Sequence, residues 1–407
     1  MLSFYSATNG LVHSGKAMEA CLRNALANKP EEIFNQKLLI VFHCTIGHNF
    51  RALLDAAASL CPNATVAGCT CAGIVGIGGA DESMRALGVM VIQPGTRESF
   101  FVASSENIRG YNSYEEAENM AQSLKSQSDD INMIQLLASG IDIAADRAIK
   151  GIESVFGAEV PIFGGTSSDN VKAVSSYQFI DGKILERGAI MIGYADPSLT
   201  VEMGVHHGSV PIGQPFRVTR SAANRVYELD GKPAWPFLMD RLNLPHDTHP
   251  GPCIPVAGLA EALSPADQKA YDNDHILRVV VKVEEDGSFY MPVDCPEQTQ
   301  LWLTQRDEQL IFEGLKKMIS ELVHRIGDRK VVATFHTDCA ARGRALFDRT
   351  AKEEILEIMQ SPIMKDNSVP WLGMYGFGEF TRLNDKNLFH NYTTSIYALV
   401  QNKVPAP

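Results

Sequence analysis

The run Leu38-Leu39-Ile40-Val41-Phe42, followed at once by His43-Cys44-Thr45, decides how this chain is read. Five apolar residues make a short strand. The polar triplet is an elbow into a helical stretch at 48–60, where Phe50, Leu53, Leu54 and Leu60 recur at helical spacing. Past Pro62 come a strand at 65–69, a bend rich in glycine (Gly68, Gly73, Gly76, Gly78, Gly79) and a mostly apolar, interior strand at 86–93. The same order returns twice. The second copy has a strand at 133–137, the elbow Ser139-Gly140, a helix at 142–156 and a strand at 160–163. Gly164-Gly165-Thr166-Ser167-Ser168-Asp169 follows, then strands at 176–180 and 188–194 joined as a hairpin at Asp181-Gly182. The third has a strand at 331–335, the elbow His336-Thr337-Asp338-Cys339, a helix at 341–359, a strand at 371–374, the bend Tyr375-Gly376-Phe377-Gly378-Glu379 and a final strand at 392–400. Strand-helix-strand modules repeated in this way predict an α/β chain, of mixed α+β type with mixed sheets.

Length and charge frame the rest. A chain of 407 residues exceeds one ordinary core, and it divides into halves 1–200 and 201–407, with the boundary near 199–208. The second half holds a proline-rich insertion at 244–268 (Pro245, Pro250, Pro252, Pro255, Pro265), expected to be largely irregular and long enough to be functional. Beyond it lie a hairpin of 276–283 with 288–293 across Asp286-Gly287 and an amphipathic helix at 309–326. Thirty-six basic against 48 acidic side chains give a net charge of −12, which disfavours nucleic acid or an anionic membrane as partner. Eight cysteines without a C-x-x-C pair argue against a disulfide scaffold, a zinc ribbon or a thioredoxin-like motif. No apolar run approaches the roughly 18 residues of a spanning helix, and the first twenty residues lack a secretory core. A soluble, cytoplasmic protein with reduced thiols is expected.

The elbows draw attention to function. A polar residue ending a strand and opening a helix stands beside unpaired amide groups and the positive end of the helix dipole, where acceptor groups of a ligand are favoured. Asp142, Thr337 and Asp338 at these places also suit plain helix caps.

Six segments together resemble the FIST sensory family: Gly68-Cys69-Thr70-Cys71-Ala72-Gly73; Phe163-Gly164-Gly165-Thr166-Ser167-Ser168-Asp169; Phe216-Arg217-Val218-Thr219 with Val226-Tyr227-Glu228-Leu229-Asp230-Gly231-Lys232-Pro233-Ala234; Cys339-Ala340-Ala341-Arg342; Gly376-Phe377-Gly378-Glu379; and His390-Asn391-Tyr392-Thr393. The resemblance implies a FIST N-terminal half and a FIST C-terminal half, from about Lys37 to Val400. It also implies an intracellular module that binds a small-molecule ligand and reports to a separate signalling polypeptide. One branch of the family binds haem b, senses nitric oxide and regulates a histidine kinase or a cyclic-di-GMP enzyme. Sensing of an amino acid or another small metabolite without haem is the alternative.

The candidate ligand-binding residues are Cys69, Gly164, Gly165, Thr166, Ser167, Asp169, Cys339, Arg342, Glu379, His390 and Asn391. Consecutive glycines admit close approach of a ligand, and Ser167, Ser168 and Asp169 offer partners for hydroxyl or amine groups. Arg342 at a helix start offers a fork for an anionic group, with Glu379 as its structural partner in the blander reading. Cys69 and Cys71 suit small-residue packing better than metal binding. A haem would need an axial ligand, and His246 and His249, within the proline-rich stretch and flanking Asp247, are the candidates, ahead of His206, His207 and His390. No other metal is expected. From a different class, Cys339 beside His336 would serve a hydrolase or transferase as nucleophile.

Overall fold

Each repeat folds around a parallel pair of strands. The computed structural model describes residues 1–141, 143–253, 256, 258–346, 351–365 and 368–402. In it Leu39–Thr45 pairs with Thr65–Cys71, Met133–Ala138 with Ile162–Thr166, and Val331–Cys339 with Trp371–Gly376, all parallel. The element order around each pair is shared. An edge strand comes first (Ser3–Asn9, Phe100–Ser105, Leu199–His206), then a helix (Ser14–Ala25, Ser113–Gln127, Glu308–Ile326), then the first strand of the pair. A second helix follows (Phe50–Leu60, Ala145–Phe156, Ala351–Met364), then the second strand of the pair, a hairpin, and a strand that returns antiparallel to the first. The mixed α/β architecture is as the repeat predicts.

The hairpins are exchanged in a cycle. Ile74–Gly76 and Gly79–Asp81 leave the first module and pair on Trp371–Gly376 of the third. Gln178–Ile180 and Lys183–Leu185 leave the second and pair on Thr65–Cys71 of the first. Gly378–Leu383 and Lys386–His390 leave the third and pair on Ile162–Thr166 of the second. Three six-stranded sheets of like composition result among the described residues. The turn at Asp181-Gly182 is present, with both residues at positive φ, 43° and 82°. Its second arm is Lys183–Leu185, whereas Ala189–Tyr194 crosses to another sheet.

The central strands are buried at every position, which explains their unbroken apolar runs: helices cover one face and a neighbouring sheet the other. The sheets' inner faces meet in one core, where Phe163 packs within 5.4 Å of Tyr397, 5.8 Å of Phe335 and 6.1 Å of Tyr194, ring centre to ring centre. The hydroxyl of Tyr397 donates to the Gly164 carbonyl at 2.9 Å.

An eight-stranded antiparallel sheet spanning 209–306 is inserted between the edge strand and first helix of the third module. The proline-rich stretch belongs to it. There the expectation of irregular chain gives way to the helices Pro250–Cys253 and Pro265–Tyr271 and the strand Leu259–Ala262. Ser264 caps the second of these helices, accepting from Asp267 N, with proline in the first turn. The boundary drawn near residue 200 falls between the second and third modules, and the exchanged hairpins join the chain across it.

Two elbows differ from their expected form. His43–Thr45 and His336–Cys339 are strand residues, and Thr337 and Asp338 are not helix caps. Residues 340–346 are turns, so no helix opens at 341, and the described helix is Ala351–Met364. Asp142 lies outside the described residues; its helix begins at Ala145.

Candidate functional site

The ends of the three parallel pairs come together. Ser168 N donates to the Thr70 carbonyl and Ser168 Oγ to that of Tyr375, at 3.1 and 2.7 Å. Tyr375 exchanges backbone hydrogen bonds with Ala72 and Gly73, and Phe377 N donates to the Thr166 carbonyl. This junction links all three modules, and polar side chains of the third gather beside it.

Glu379 sits in the exchanged hairpin, register-paired with Gly165 on one side and His390 on the other. It is fully buried. Its Oε2 accepts from Thr393 Oγ1 at 2.7 Å, while Oε1 has no protein partner. Burial pushes this carboxyl well above the ordinary range and so favours its neutral form. Arg342, also buried, donates from Nε to Asp338 at 3.0 Å and from Nη1 to the His207 carbonyl at 2.6 Å; its Nη2 is unpartnered. Burial raises the Asp338 carboxyl to about 6 despite the guanidinium beside it. His336 Nε2 lies 2.9 Å from Thr394 Oγ1 and 3.7 Å from Asp338. His390 Nδ1 lies 3.3 Å from the Tyr271 hydroxyl, whose ring stands edge-on to both His390 and His207. Asn391 donates to the Phe377 carbonyl at 2.9 Å. His390 Nε2, Asn391 Oδ1, His336 Nδ1 and Thr166 Oγ1 are buried without partners. The charged groups sense each other: Arg342 and Asp338 both act on the ionisation of Glu379.

Buried polar atoms are almost always paired, because each orphan costs about 1–3 kcal/mol. Six such atoms on side chains around one junction, two of them on a carboxyl and a guanidinium, constitute the candidate site.

Of the expected residues, the fold brings Thr166, Cys339, Arg342, Glu379, His390 and Asn391 to this interior. Others have structural employment. Gly165 is glycine because a Cβ would lie 2.5 Å from Thr337 Cγ2 and 2.8 Å from the Gly378 carbonyl. Gly164 has φ of 117°. The Asp169 carboxylate accepts four amides of its own loop, Lys172 to Ser175, at 2.8–3.3 Å. Ser167 donates to the Ala138 carbonyl and receives Gln178 Nε2 at 2.6 Å. Cys69 lies in the core, its Sγ 3.3 Å from His43 Nδ1 and 3.5 Å from Met374 Sδ. His207 and Tyr271 were not expected as site residues. His207 was weighed only as an iron ligand, and nothing local in the sequence marks Tyr271.

Cys339 ends a strand, not a helix-opening turn, and burial pushes its thiol far above the ordinary value, with Glu379 adding to the shift. The electropositive, accessible setting of a catalytic thiolate is missing. Iodoacetamide at neutral pH is expected to label Cys339 in folded protein much more slowly than free cysteine; stoichiometric labelling within minutes, read by mass spectrometry, would contradict this assignment.

His246 and His249 border a different groove. His246 is 57% exposed, with Nε2 2.7 Å from Asp240. His249 Nδ1 accepts from Gly251 N, and the groove between them also carries Glu284, Glu285 and Asp286. An imidazole engaged by an exposed carboxylate and a wall with three acids do not fit an axial ligand in an apolar haem pocket. Among the described residues no group of three or more His, Cys, Asp or Glu is placed to hold a metal ion. No helix among them is long and apolar enough to cross a membrane.

Residues 37–232 match the FIST N domain and residues 250–382 the FIST C domain. The chain therefore belongs to the FIST family, whose domains are sensory signalling domains. An uncharacterized protein of Methanocaldococcus jannaschii is 26% identical over 265 residues, covering 60% of this chain and 50% of its own length. One of Mycobacterium bovis is 23% identical over 267 residues, covering 59% of this chain and 61% of its own. The chain thus spans about half the length of the first of these relatives. Among solved structures, cyanuric acid hydrolase from A. caulinodans aligns over 99% of this chain and 100% of its own, at 7% identity and a TM-score of 0.39, too distant to carry chemistry across.

Proposed function

We propose that this FIST protein senses a small zwitterionic metabolite of the amino-acid class, held in the interior by Arg342, Glu379, His390 and Asn391. One observation carries the reading: the buried guanidinium of Arg342 and the buried carboxyl of Glu379, whose ionisation it influences, each keep an atom without a protein partner. The free Nη2 suits a ligand carboxylate. Glu379 Oε1 and Asn391 Oδ1 are acceptors for an ammonium. A ligand cation would favour the ionised form of Glu379, so binding would release a proton. Glu379 and His390 belong to the third module but ride on the hairpin that pairs with the second, so occupancy would favour one arrangement of the exchanged hairpins. A separate polypeptide, by family resemblance a histidine kinase or cyclic-di-GMP enzyme, would read that arrangement. Entry would pass through the turns of 340–346, which carry Arg342.

Thermal unfolding against a panel of amino acids tests this directly. At a hundredfold excess over Kd a ligand stabilises by about 2.7 kcal/mol, enough to move Tm by several degrees. At least one amino acid is expected to do so, while its amine and its carboxylic acid analogues each fail. Calorimetry in buffers of different ionisation enthalpy should register the released proton. Equal stabilisation by the amine or the acid alone would refute the zwitterion reading, as would a panel without effect.

A further inference from the structure

A second cleft has a different chemistry, and from it we infer a binding site for a mononucleotide. The cleft, about 380 Å³, lies where residues 109–111 face the hairpin turning at Ala223-Asn224 between the strands Ser209–Ala222 and Arg225–Leu229. It shares no residue with the interior polar site. Among the described residues its charged lining is Arg109, Arg147, Arg225 and Lys282, with no carboxylate. In a chain of net charge −12, a small cleft presenting four cationic side chains offers partners to an anionic ligand, although three of the four also meet acids beyond the lining.

The cations are held in place. Arg147 pairs with Asp294 and Arg225 with Asp286, both at 2.9 Å, and Lys282 with Glu284 at 2.7 Å, the acids standing outside the lining. Arg109 is different: its Nε donates to the Asn107 side chain at 2.7 Å, and no carboxylate among the described residues pairs with it. Arg225 gives Nε to Ser288 and Nη2 to Asp286, while its Nη1 has no protein partner among the described residues. Two guanidinium groups thus retain donors for an anion, in the fork geometry that suits phosphate.

Three tyrosines, Tyr111, Tyr227 and Tyr290, also line the cleft. The Arg225 guanidinium lies 4.8 Å from the Tyr227 ring centre and 5.5 Å from that of Tyr290. Tyr111, 76% exposed, is presented from the opposite side. Rings and a planar guanidinium beside phosphate-binding cations are the two halves of nucleotide recognition, a stacking surface for the base and a charged one for the phosphate. The volume lies at the low end of small-ligand sites, which suits one nucleotide and not two. The overall negative charge also opposes a polynucleotide, whose further phosphates would run onto acidic surface.

Isothermal titration of the full chain with AMP and with GMP at physiological salt tests the inference, with adenosine, inorganic phosphate and a short oligonucleotide as separate arms. A mononucleotide is expected to bind with a micromolar Kd, at least about tenfold tighter than adenosine or phosphate alone. Arg109→Ala and Tyr227→Ala should each weaken it about tenfold, and the double variant more. Among the described residues the Arg109 side chain donates to the exposed Asn107, so its variant should keep the parent's Tm and separates lost binding from lost folding. No nucleotide binding below millimolar concentration would overturn the assignment. So would phosphate binding as tightly as the nucleotide, tighter binding of the oligonucleotide, or affinity unchanged in both variants.

Discussion

Replacing Arg342 by alanine is expected to cost on the order of 3–5 kcal/mol of folding stability, most of it from stranding Asp338. Asp338 is 3% exposed and Arg342 4%, so water can solvate neither. With the guanidinium 3.0 Å away, burial already raises the Asp338 carboxyl to about 6. Without it, the carboxylate must stay charged in the interior or take up a proton at neutral pH, and both alternatives cost free energy. The variant also loses the 2.6 Å bond from Nη1 to the His207 carbonyl, which ties the end of the strand Leu199–His206 to the site. A second substitution identifies the cause. Asp338→Asn on top of Arg342→Ala removes the stranded charge and should recover a substantial part of the loss, so the two changes are strongly non-additive. Arg342→Lys keeps the charge but not the fork, and should fall between parent and alanine. Urea unfolding of the four proteins decides the matter. A loss below about 1 kcal/mol for Arg342→Ala, the scale of an exposed ion pair, would show that the pair is not buried in solution. If the proposed function holds, Arg342→Lys would also lose the amino-acid-induced rise in Tm.

The three modules were legible because the interior strands are written as unbroken apolar runs. Leu38 to Phe42 and Met133 to Leu137 owe that to burial on both faces. The exchange of hairpins was not legible. Asp181-Gly182 encodes a turn with positive φ at both residues, but a turn specifies how two arms fold back, not which sheet receives them. The expected helix at 341 failed for a similar reason. The composition Ala340 to Leu346 suits a helix, yet the Glu82 carboxylate accepts Arg344 N at 2.7 Å and leaves 2.3 Å for a Cβ on Gly343, so a contact from the first module fixes that segment as turns. The site was legible only in part. Cys339, Arg342, Glu379, His390 and Asn391 were named because they fall in the segments that resemble the FIST family. Asp169 falls in such a segment too, yet it serves its own loop, and His246, marked by local chemistry with His249, meets Asp240 at the surface. Short polar runs advertise a functional site and a capped turn in the same letters. What separates them is burial, which depends on partners far along the chain.

Acid is expected to begin destabilising this protein above the range in which ordinary carboxylates titrate. Burial lowers His43, His207, His336 and His390 to about 3 and His206 to about 4, from an ordinary value of 6.5. The sign follows from proton uptake. Between 6.5 and these folded values the unfolded chain binds protons that the folded chain refuses, so the stability is fully present above 6.5 and drains away as pH falls. Each histidine contributes about 1.4 kcal/mol per pH unit in that window. The raised carboxyls of Glu379, Asp338 and Asp146 act oppositely: protonated in the folded state, they favour folding as pH falls toward ordinary carboxylate values. Five strongly shifted histidines oppose three raised carboxyls, leaving a net loss of stability on the order of a few kcal/mol per pH unit as pH falls from 6.5 toward 5. Against a total stability of about 5–15 kcal/mol, a loss that begins near pH 6.5 puts the acid midpoint at about pH 5 or below. Chemical denaturation at a series of pH values measures the slope, and a stability unchanged between pH 7 and pH 5 would show that these imidazoles are hydrated in solution. His43→Gln supplies the internal control. His43 contacts Cys69 in the core, away from the polar interior, and its removal should make the curve shallower by about one histidine's share. The steepness would then be traced to imidazoles held neutral by packing, a cost that the fold meets only while they stay unprotonated.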